Sequence, residues 1–343
     1  MKILFTTQLP TEGFARLSEH ELDMPATPYY TPAEIGIRIA GADVLVATFD
    51  YRITREIIEA WCVAKHPRND SDLSRPLNCN EVSSKLIANL GVGYNNIDLD
   101  ACREHNILVT NTPLPVIEPT AELCFALMHD IARRTALFDR QLRQGTAEPF
   151  GVMNNLSHSL YGKTLGIIGM GRIGKAVARR AIAAGMRVIY YQRHPLEETS
   201  VASLTSDSSC TSLTYVPMEE LLRTADFVSL HLPYTAETHH IIGERELGMM
   251  KPTAYLINTA RGAHVDEAIL VRFLQEKKIA GAALDVYEHE PTITEALKTL
   301  DNVVLSPHTG TATMEARLAM CENVTDNILA FLAGQYDSMN IVK

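Results

Sequence analysis

A chain of 343 residues, 46% hydrophobic and 21% charged, is long enough for roughly two domains of ordinary size, and its make-up is that of a packed globular protein, not a disordered or fibrous one. The formal net charge of -10 repels polyphosphate backbones and anionic membranes, and no block of Lys and Arg offsets it, so no nucleic acid and no membrane is expected as a partner. Six cysteines without CxxC spacing, several inside apolar runs, point to free thiols in a reducing compartment. The opening Met1-Lys2-Ile3-Leu4-Phe5-Thr6-Thr7 turns polar too soon for a signal peptide, and no later run reaches membrane-spanning length, so a cytoplasmic location is expected.

Short β-rich runs come first, at Ile3 to Thr6, Val44 to Ala47, Leu86 to Asn89 and Ile107 to Thr110, separated by helical patterns. Thr112-Pro113-Leu114-Pro115 then breaks the chain, and Pro119-Thr120-Ala121-Glu122 opens an apolar helix to about Arg134. Its Leu123, Ala126, Leu127 and Ile131 are too apolar for a free surface, so they enter the core or face a second subunit. A second strand series follows at Leu165 to Ile168, Val188 to Tyr191, Phe227 to Leu230, Ala254 to Asn258, Ala282 to Asp285 and Val303 to Leu305. This alternation predicts an α/β fold of two doubly wound parallel-sheet domains. After Pro307, a helix from about Ala312 to Leu332, stopped by Gly334, is expected to return to the first domain. The expected boundaries are 1-112 with 309-343, and 113-308. Lys65 to Ser84 and Thr199 to Ser212 are too polar to fit the alternation and read as surface loops.

Gly169-Met170-Gly171-Arg172-Ile173-Gly174 directly follows the run Leu165 to Ile168 and opens the helical pattern Ile173 to Ala184. Between strand and helix, these glycines suit a dinucleotide pyrophosphate. Gly169 permits the tight turn, Gly171 the close backbone approach and Gly174 the helix-to-strand packing, while the helix start offers N–H groups to the anion. After the next strand the chain reads Tyr190-Tyr191-Gln192-Arg193-His194, with no acid for a ribose 2′-hydroxyl. Gln192 is neutral and Arg193 offers a planar charged fork to a 2′-phosphate, so NADP(H) is favoured and NAD(H) remains possible. The alternative is a solvated Arg193, with Glu197 or Glu198 serving the ribose.

Arg261, Glu290 and His308 each fall just beyond a predicted strand, where open α/β sheets bind ligands. Carbonyl reduction needs a hydride, a proton for the forming alkoxide and a cation for carboxylate and carbonyl. His308 suits the proton donor, Glu290 would orient it and favour its charged form, and Arg261 can grip a carboxylate with two N–H groups. His239-His240, Glu288 and His289 lack HExxH or comparable spacing, and no metal is expected.

Three segments carry a specific likeness. Leu256-Ile257-Asn258-Thr259-Ala260-Arg261-Gly262, Asp285-Val286-Tyr287-Glu288-His289-Glu290-Pro291 and Ser306-Pro307-His308-Thr309-Gly310 together resemble the D-isomer-specific 2-hydroxyacid dehydrogenase family, over nearly the whole chain. Asn89-Leu90-Gly91-Val92-Gly93-Tyr94-Asn95-Asn96-Ile97-Asp98 and Val109-Thr110-Asn111-Thr112-Pro113 look most like its glyoxylate and hydroxypyruvate reductases. The resemblance implies a Rossmann cofactor domain inserted in a flavodoxin-like substrate domain. It also implies Val92 and Gly93 amides, with Arg261 and His308, on a small 2-oxo or 2-hydroxy acid. Thr120, Leu232, Pro233, Thr259, Ala260, Asp285 and Gly310 would line the cofactor, and two copies would join as a homodimer through the cofactor domain. Gln192 departs from the NAD-using members, and Lys65 to Ser84 is longer than the family's usual turn. Formate dehydrogenases pair their His with Gln, so Glu290 disfavours formate. Two other readings stand beside the reductase: a dinucleotide-sensing corepressor-like binding protein, and a phosphoglycerate dehydrogenase-like enzyme.

Overall fold

The structure, a computed structural model, describes residues 1–63, 84–197 and 213–342. The two polar stretches read as surface loops therefore lie outside the described residues, apart from Ser84, as do Glu198, Cys79 and Cys210. The four cysteines that are described, Cys62, Cys102, Cys124 and Cys321, are free. Among the described residues no helix is long and apolar enough to cross a membrane.

The chain divides into two compact units, and each is taken by itself. Unit one comprises Met1–Val116 and Thr311–Lys343. Its strands β1 (Lys2–Phe5), β2 (Glu21–Asp23), β3 (Val44–Thr48), β4 (Leu86–Leu90) and β5 (Leu108–Thr110) lie in the order β2-β1-β3-β4-β5, every pair parallel. β3 and β4 are buried at every residue, as strands covered on both faces must be, and this is why they show as continuous apolar runs and not as alternation. Alternate residues enter two cores: Leu45 and Ala47 pack on one side with Trp61, Val44 and Val46 on the other with Phe14.

The helix Met314–Leu332 covers the second of these faces, burying Ala316, Met320, Cys321, Val324, Ile328 and Phe331, a spacing that makes one apolar stripe. Thr313 caps its start by accepting from the Ala316 N–H at 3.1 Å, worth about 1 kcal/mol. The stripe packs close to the turn Thr11–Leu17, where a Cβ on Gly13 would lie 2.3 Å from Cys321 Cβ, and Thr325 Oγ1 donates to the Gly13 carbonyl at 2.7 Å.

Unit two is Ile117–Gly310. Its strands are β6 (Thr164–Ile168), β7 (Arg187–Tyr191), β8 (Leu213–Tyr215), β9 (Phe227–Leu230), β10 (Tyr255–Asn258), β11 (Gly281–Leu284) and β12 (Val303–Leu305), in the order β12-β11-β10-β9-β6-β7-β8, all parallel. The strand order reverses between β6 and β9, so a crevice opens beyond their carboxyl ends. Tyr255 and Ile257 face one core and Leu256 the other.

The strands expected from the sequence are present within a residue or two, but β2 and β8 were not foreseen. Both are three-residue edge strands with polar positions among them, so neither carries an apolar run. The helix Ile117–Arg133 resolves another open question. Cys124, Leu127, Met128 and Ile131 enter the unit-two core, whereas Leu123 is half-buried and Ala126 is exposed.

Candidate active site

At the end of β6 the chain turns through Gly169, whose φ of +97° is open to glycine and strained for other residues. A Cβ there would meet the His231 carbonyl oxygen at 2.7 Å, and one on Gly174 would meet the Gly169 carbonyl oxygen at 2.3 Å, so both are required for packing. A Cβ on Gly171, by contrast, would meet nothing within 4 Å. Gly171 is also the N-cap of the helix Arg172–Ala183 and supplies no side-chain cap, so the first N–H groups face open space. Ile173 is half-buried and Arg172 exposed in this first turn. The buried Thr259 hydroxyl has no hydrogen-bond partner among the described residues. A cradle of amides at the switch point fits a dinucleotide.

Other residues expected around the cofactor are distributed as follows. Leu232 follows β9 and lies against Gly169; the Pro233 carbonyl accepts from Thr238 Oγ1 at 3.0 Å. Thr120 is buried in the first turn of its helix, beside Gly310. Past β7, Gln192 Nε2 donates to the His194 carbonyl at 2.6 Å, while Arg193 and His194 are exposed. Asp285 is buried and ties down the segment after His308: Oδ1 accepts from the Thr309 N–H at 2.7 Å and Oδ2 from the Gly310 N–H at 2.9 Å. Val92 and Gly93 belong to unit one, in the loop after β4. There Asn111 Nδ2 donates to the Val92 carbonyl at 2.9 Å and Asn89 Nδ2 to the Gly93 carbonyl at 2.8 Å.

Arg261, Glu290 and His308 all lie in unit two, beyond β10, β11 and β12. Asn258 shapes the first loop, accepting from the Ala260 N–H at 3.0 Å and donating to the Arg261 carbonyl at 2.9 Å. Gly262 then lets that loop press on the next one, since a Cβ would fall 1.9 Å from the Tyr287 carbonyl carbon. Glu290 Oε1 accepts from the Tyr287 N–H at 2.9 Å, and Oε2 bonds His308 Nδ1 at 2.8 Å. Because a carboxylate only accepts, Nδ1 carries the proton of that bond.

His308 has a φ of +53°, a left-handed conformation costing about 1–2 kcal/mol for an L residue. Its N–H donates to the Asp285 carbonyl at 2.8 Å, and with the two Asp285 carboxylate bonds this holds it there. Burial raises the Glu290 pKa, but the His308 bond and charge, the Tyr287 N–H and the Arg261 charge together outweigh it, so the carboxyl titrates below its ordinary value. Burial lowers the Arg261 pKa while Glu290 opposes; with a reference value of 12.5 the guanidinium stays charged. A fixed cation, an ionised carboxylate and an imidazole bonded to it are the groups that carbonyl reduction needs.

The family described as "D-isomer specific 2-hydroxyacid dehydrogenase, NAD binding domain" matches residues 125–310. The chain belongs to this D-2-hydroxyacid dehydrogenase family. It is an oxidoreductase that works with a nicotinamide dinucleotide on the CH–OH group of 2-hydroxy acids, or on the corresponding 2-oxo acids in reverse. A glyoxylate reductase of Thermococcus litoralis is 40% identical over 342 residues, covering 97% of this chain and 94% of the relative. A protein of Thermus thermophilus superposes with a TM-score of 0.85 at 36% identity, with 100% of both chains covered. An NADPH-dependent glyoxylate/hydroxypyruvate reductase of Sinorhizobium meliloti, solved with NADP and malonate, has a TM-score of 0.77 at 29% identity over 97% of this chain and 93% of its own.

Several polar groups of this dehydrogenase escaped the sequence reading. His231, just past β9, bonds Ser229 Oγ at 2.8 Å, and Ser229 in turn contacts the Cys124 thiol at 3.3 Å. His264, two residues after Gly262, reaches the Pro233 carbonyl at 3.4 Å. His240 Nε2 bonds Glu288 Oε1 at 2.6 Å. His264 and His240 find their partners on loops beyond other strands, whereas Ser229 stands on the strand that leads to His231. Among the described residues no three His, Cys, Asp or Glu side chains are grouped to hold a metal.

Burial lowers the pKa of both His231 and His264 to about 4, with Arg261 adding to the effect at His264 and the Pro233 carbonyl opposing it. The fold holds both neutral. Their contribution is therefore complete above the ordinary value of 6.5 and declines as pH falls toward 4, because the unfolded chain takes up protons that the native one refuses. Urea midpoints are expected to drop between about pH 7 and about pH 5, before most carboxylates titrate. A midpoint unchanged over that interval is the contrary result.

Proposed function

We propose that this chain is an NADPH-preferring reductase of glyoxylate and hydroxypyruvate, acting as a cytoplasmic homodimer. The observation that carries the chemistry is the Glu290–His308 bond at 2.8 Å, in a site where the Arg261 and Glu290 charges act on each other. The substrate class is supported by the activities of the T. litoralis and S. meliloti relatives.

Residues 113-308 bind the cofactor in this reading, and 1-112 with 309-343 bind the substrate. The nicotinamide supplies the hydride to C2. Arg261 pairs with the substrate carboxylate and draws electron density onto the C2 oxygen. His308, oriented by its Nδ1 bond to Glu290, gives its Nε2 proton to the forming alkoxide. The amides of Val92 and Gly93, whose carbonyls are tied back by Asn111 and Asn89, receive the substrate carboxylate. Gly169, Gly171, Arg172, Ile173 and Gly174 hold the pyrophosphate, with Thr120, Leu232, Pro233, Thr259, Ala260, Asp285 and Gly310 along the rest of the cofactor. The Gln192 amide is turned onto His194, which leaves the exposed Arg193, with His194, to meet a 2′-phosphate.

Phe150 is 96% and Val152 94% exposed, and Met153, Leu156 and Tyr161 are exposed nearby. A cluster of this kind on the cofactor unit suits the same surface of a second copy.

With glyoxylate or hydroxypyruvate at saturation, NADPH is expected to be oxidised with a higher kcat/KM than NADH; the opposite order rejects the cofactor assignment. His308→Ala is expected to lose at least roughly 10²-fold in turnover while still binding NADPH, and near-normal turnover rejects the proton-donor role. Absence of turnover with any 2-oxo acid, despite tight dinucleotide binding, would favour the corepressor-like reading. Phe150→Asp combined with Val152→Asp is expected to yield monomers in sedimentation velocity, and an intact dimer removes this surface as the interface.

A further inference from the structure

Unit two contains a second imidazole–carboxylate pair, one loop away from the first. Glu288 stands two residues before Glu290 in the loop after β11. Its Oε1 bonds His240 Nε2 at 2.6 Å, and its Oε2 accepts from the Glu267 N–H at 3.2 Å. Glu267 returns the contact: its Oε2 accepts from the Glu288 N–H at 3.0 Å, and its Oε1 accepts from the Thr294 hydroxyl. Glu267 is buried, and the Glu288 side chain is 14% exposed.

His240 also reaches the loop that carries Arg261. Its backbone N–H donates to the Ala263 carbonyl at 2.9 Å, and the next residues continue the contact, Ile242 N–H to the His264 carbonyl at 3.0 Å and Asp266 N–H to the Ile242 carbonyl at 3.0 Å. One residue thus holds the Arg261 loop through its main chain and the Glu290 loop through its ring. Other groups facing the ring are Asp266, with Oδ2 4.0 Å from Nδ1, and His239, stacked at 3.9 Å between centroids. Tyr234 hydroxyl bonds His239 Nδ1 at 3.2 Å. The backbone of His240 has a φ of +48°, in the left-handed region where Asn, Asp and His are the non-glycine residues most often found.

We propose that His240 and Glu288 form a positioning strut that sets Arg261 and Glu290 in register for catalysis. Neither is a catalytic residue: Glu288 acts through the backbone it shares with Glu290, and His240 acts through Glu288 and Ala263. Hydride transfer and protonation demand placement of the reacting groups to a fraction of an ångström. Releasing Glu288 frees the loop two residues from the carboxylate that orients His308. The pyrophosphate cradle at Gly169 to Gly174 lies on a different loop, and only Thr259, Ala260 and Asp285 of the cofactor-lining residues share the two braced loops, so cofactor affinity changes much less than turnover.

His240→Asn separates the side chain from the backbone, since Asn tolerates positive φ but its amide cannot reach Glu288. His240→Gln places an amide nitrogen near the position of Nε2 and so restores the contact with Glu288. His240→Asn is expected to lower kcat by roughly tenfold or more while leaving the NADPH dissociation constant within about twofold, and His240→Gln to recover at least half of the logarithmic loss. A kcat within about twofold of the parent, a parallel loss of NADPH binding, or a Gln variant no better than Asn each overturns the strut. Should His240→Asn yield no folded protein, the isosteric Glu288→Gln takes its place and is expected to show the same split between kcat and NADPH binding. The inference rests on the roles proposed above for Arg261 and Glu290. Near-normal turnover of His308→Ala rejects those roles, whereas an inert His240→Asn beside a crippled His308→Ala rejects the strut alone.

Discussion

Gly262 stands so near the backbone of Tyr287 that a single added carbon would sit 1.9 Å from its carbonyl carbon. That close approach joins the loops beyond β10 and β11, and the rest of the site depends on it. Arg261 immediately precedes the glycine, while Glu290 is hydrogen-bonded to the N–H of Tyr287 itself. Any bulk at residue 262 would separate a guanidinium and a carboxylate whose fields depend on proximity. The parallel sheet beneath makes the approach possible, since neighbouring strands lie about 4.8 Å apart and end at one level.

The electrostatics of the site follow from opposed tendencies of known sign. Burial disfavours charge on both Arg261 and Glu290, and each is held charged by the other and, for Glu290, by His308 and a backbone N–H. Deeper in the same unit, burial keeps His231 and His264 neutral. Histidines of one unit therefore differ in chemistry because their surroundings differ: two are buried without charge, and His308 is bonded to an ionised carboxylate. Exposed ion pairs elsewhere, such as Arg140 with Asp301 at 2.6 Å, contribute at most about 1 kcal/mol each. The two-sided apolar cores of both sheets supply most of the stability that keeps the loops in place.

Much of this was legible in the residues because the signals are local. Runs such as Val44 to Ala47 announce strands buried on both faces, and a glycine fingerprint between strand and helix announces the turn that receives a pyrophosphate. Arg261, Glu290 and His308 stood out as the right side-chain types just past strand ends. β2 and β8 were not legible, since an edge strand needs no apolar run. Ala126 was expected to enter the core or to face a second subunit; it lies outside the core, because an apolar helix does not reveal which of its faces meets the sheet. His240 and Glu288 drew notice only as a metal site to be dismissed; their pairing joins residues 48 positions apart.

By itself, then, the amino-acid order determined the α/β class, the position of the glycine turn between strand and helix and the candidates for the reacting side chains, each a consequence of periodicity or of chemistry within a few residues. Tertiary structure alone decided that Glu288 pairs with His240, that two histidines stay neutral and that His308 adopts a left-handed backbone. These features arise where the ends of separate strands converge, and a distance between such ends is a property of the packed sheets, not of any segment of the chain.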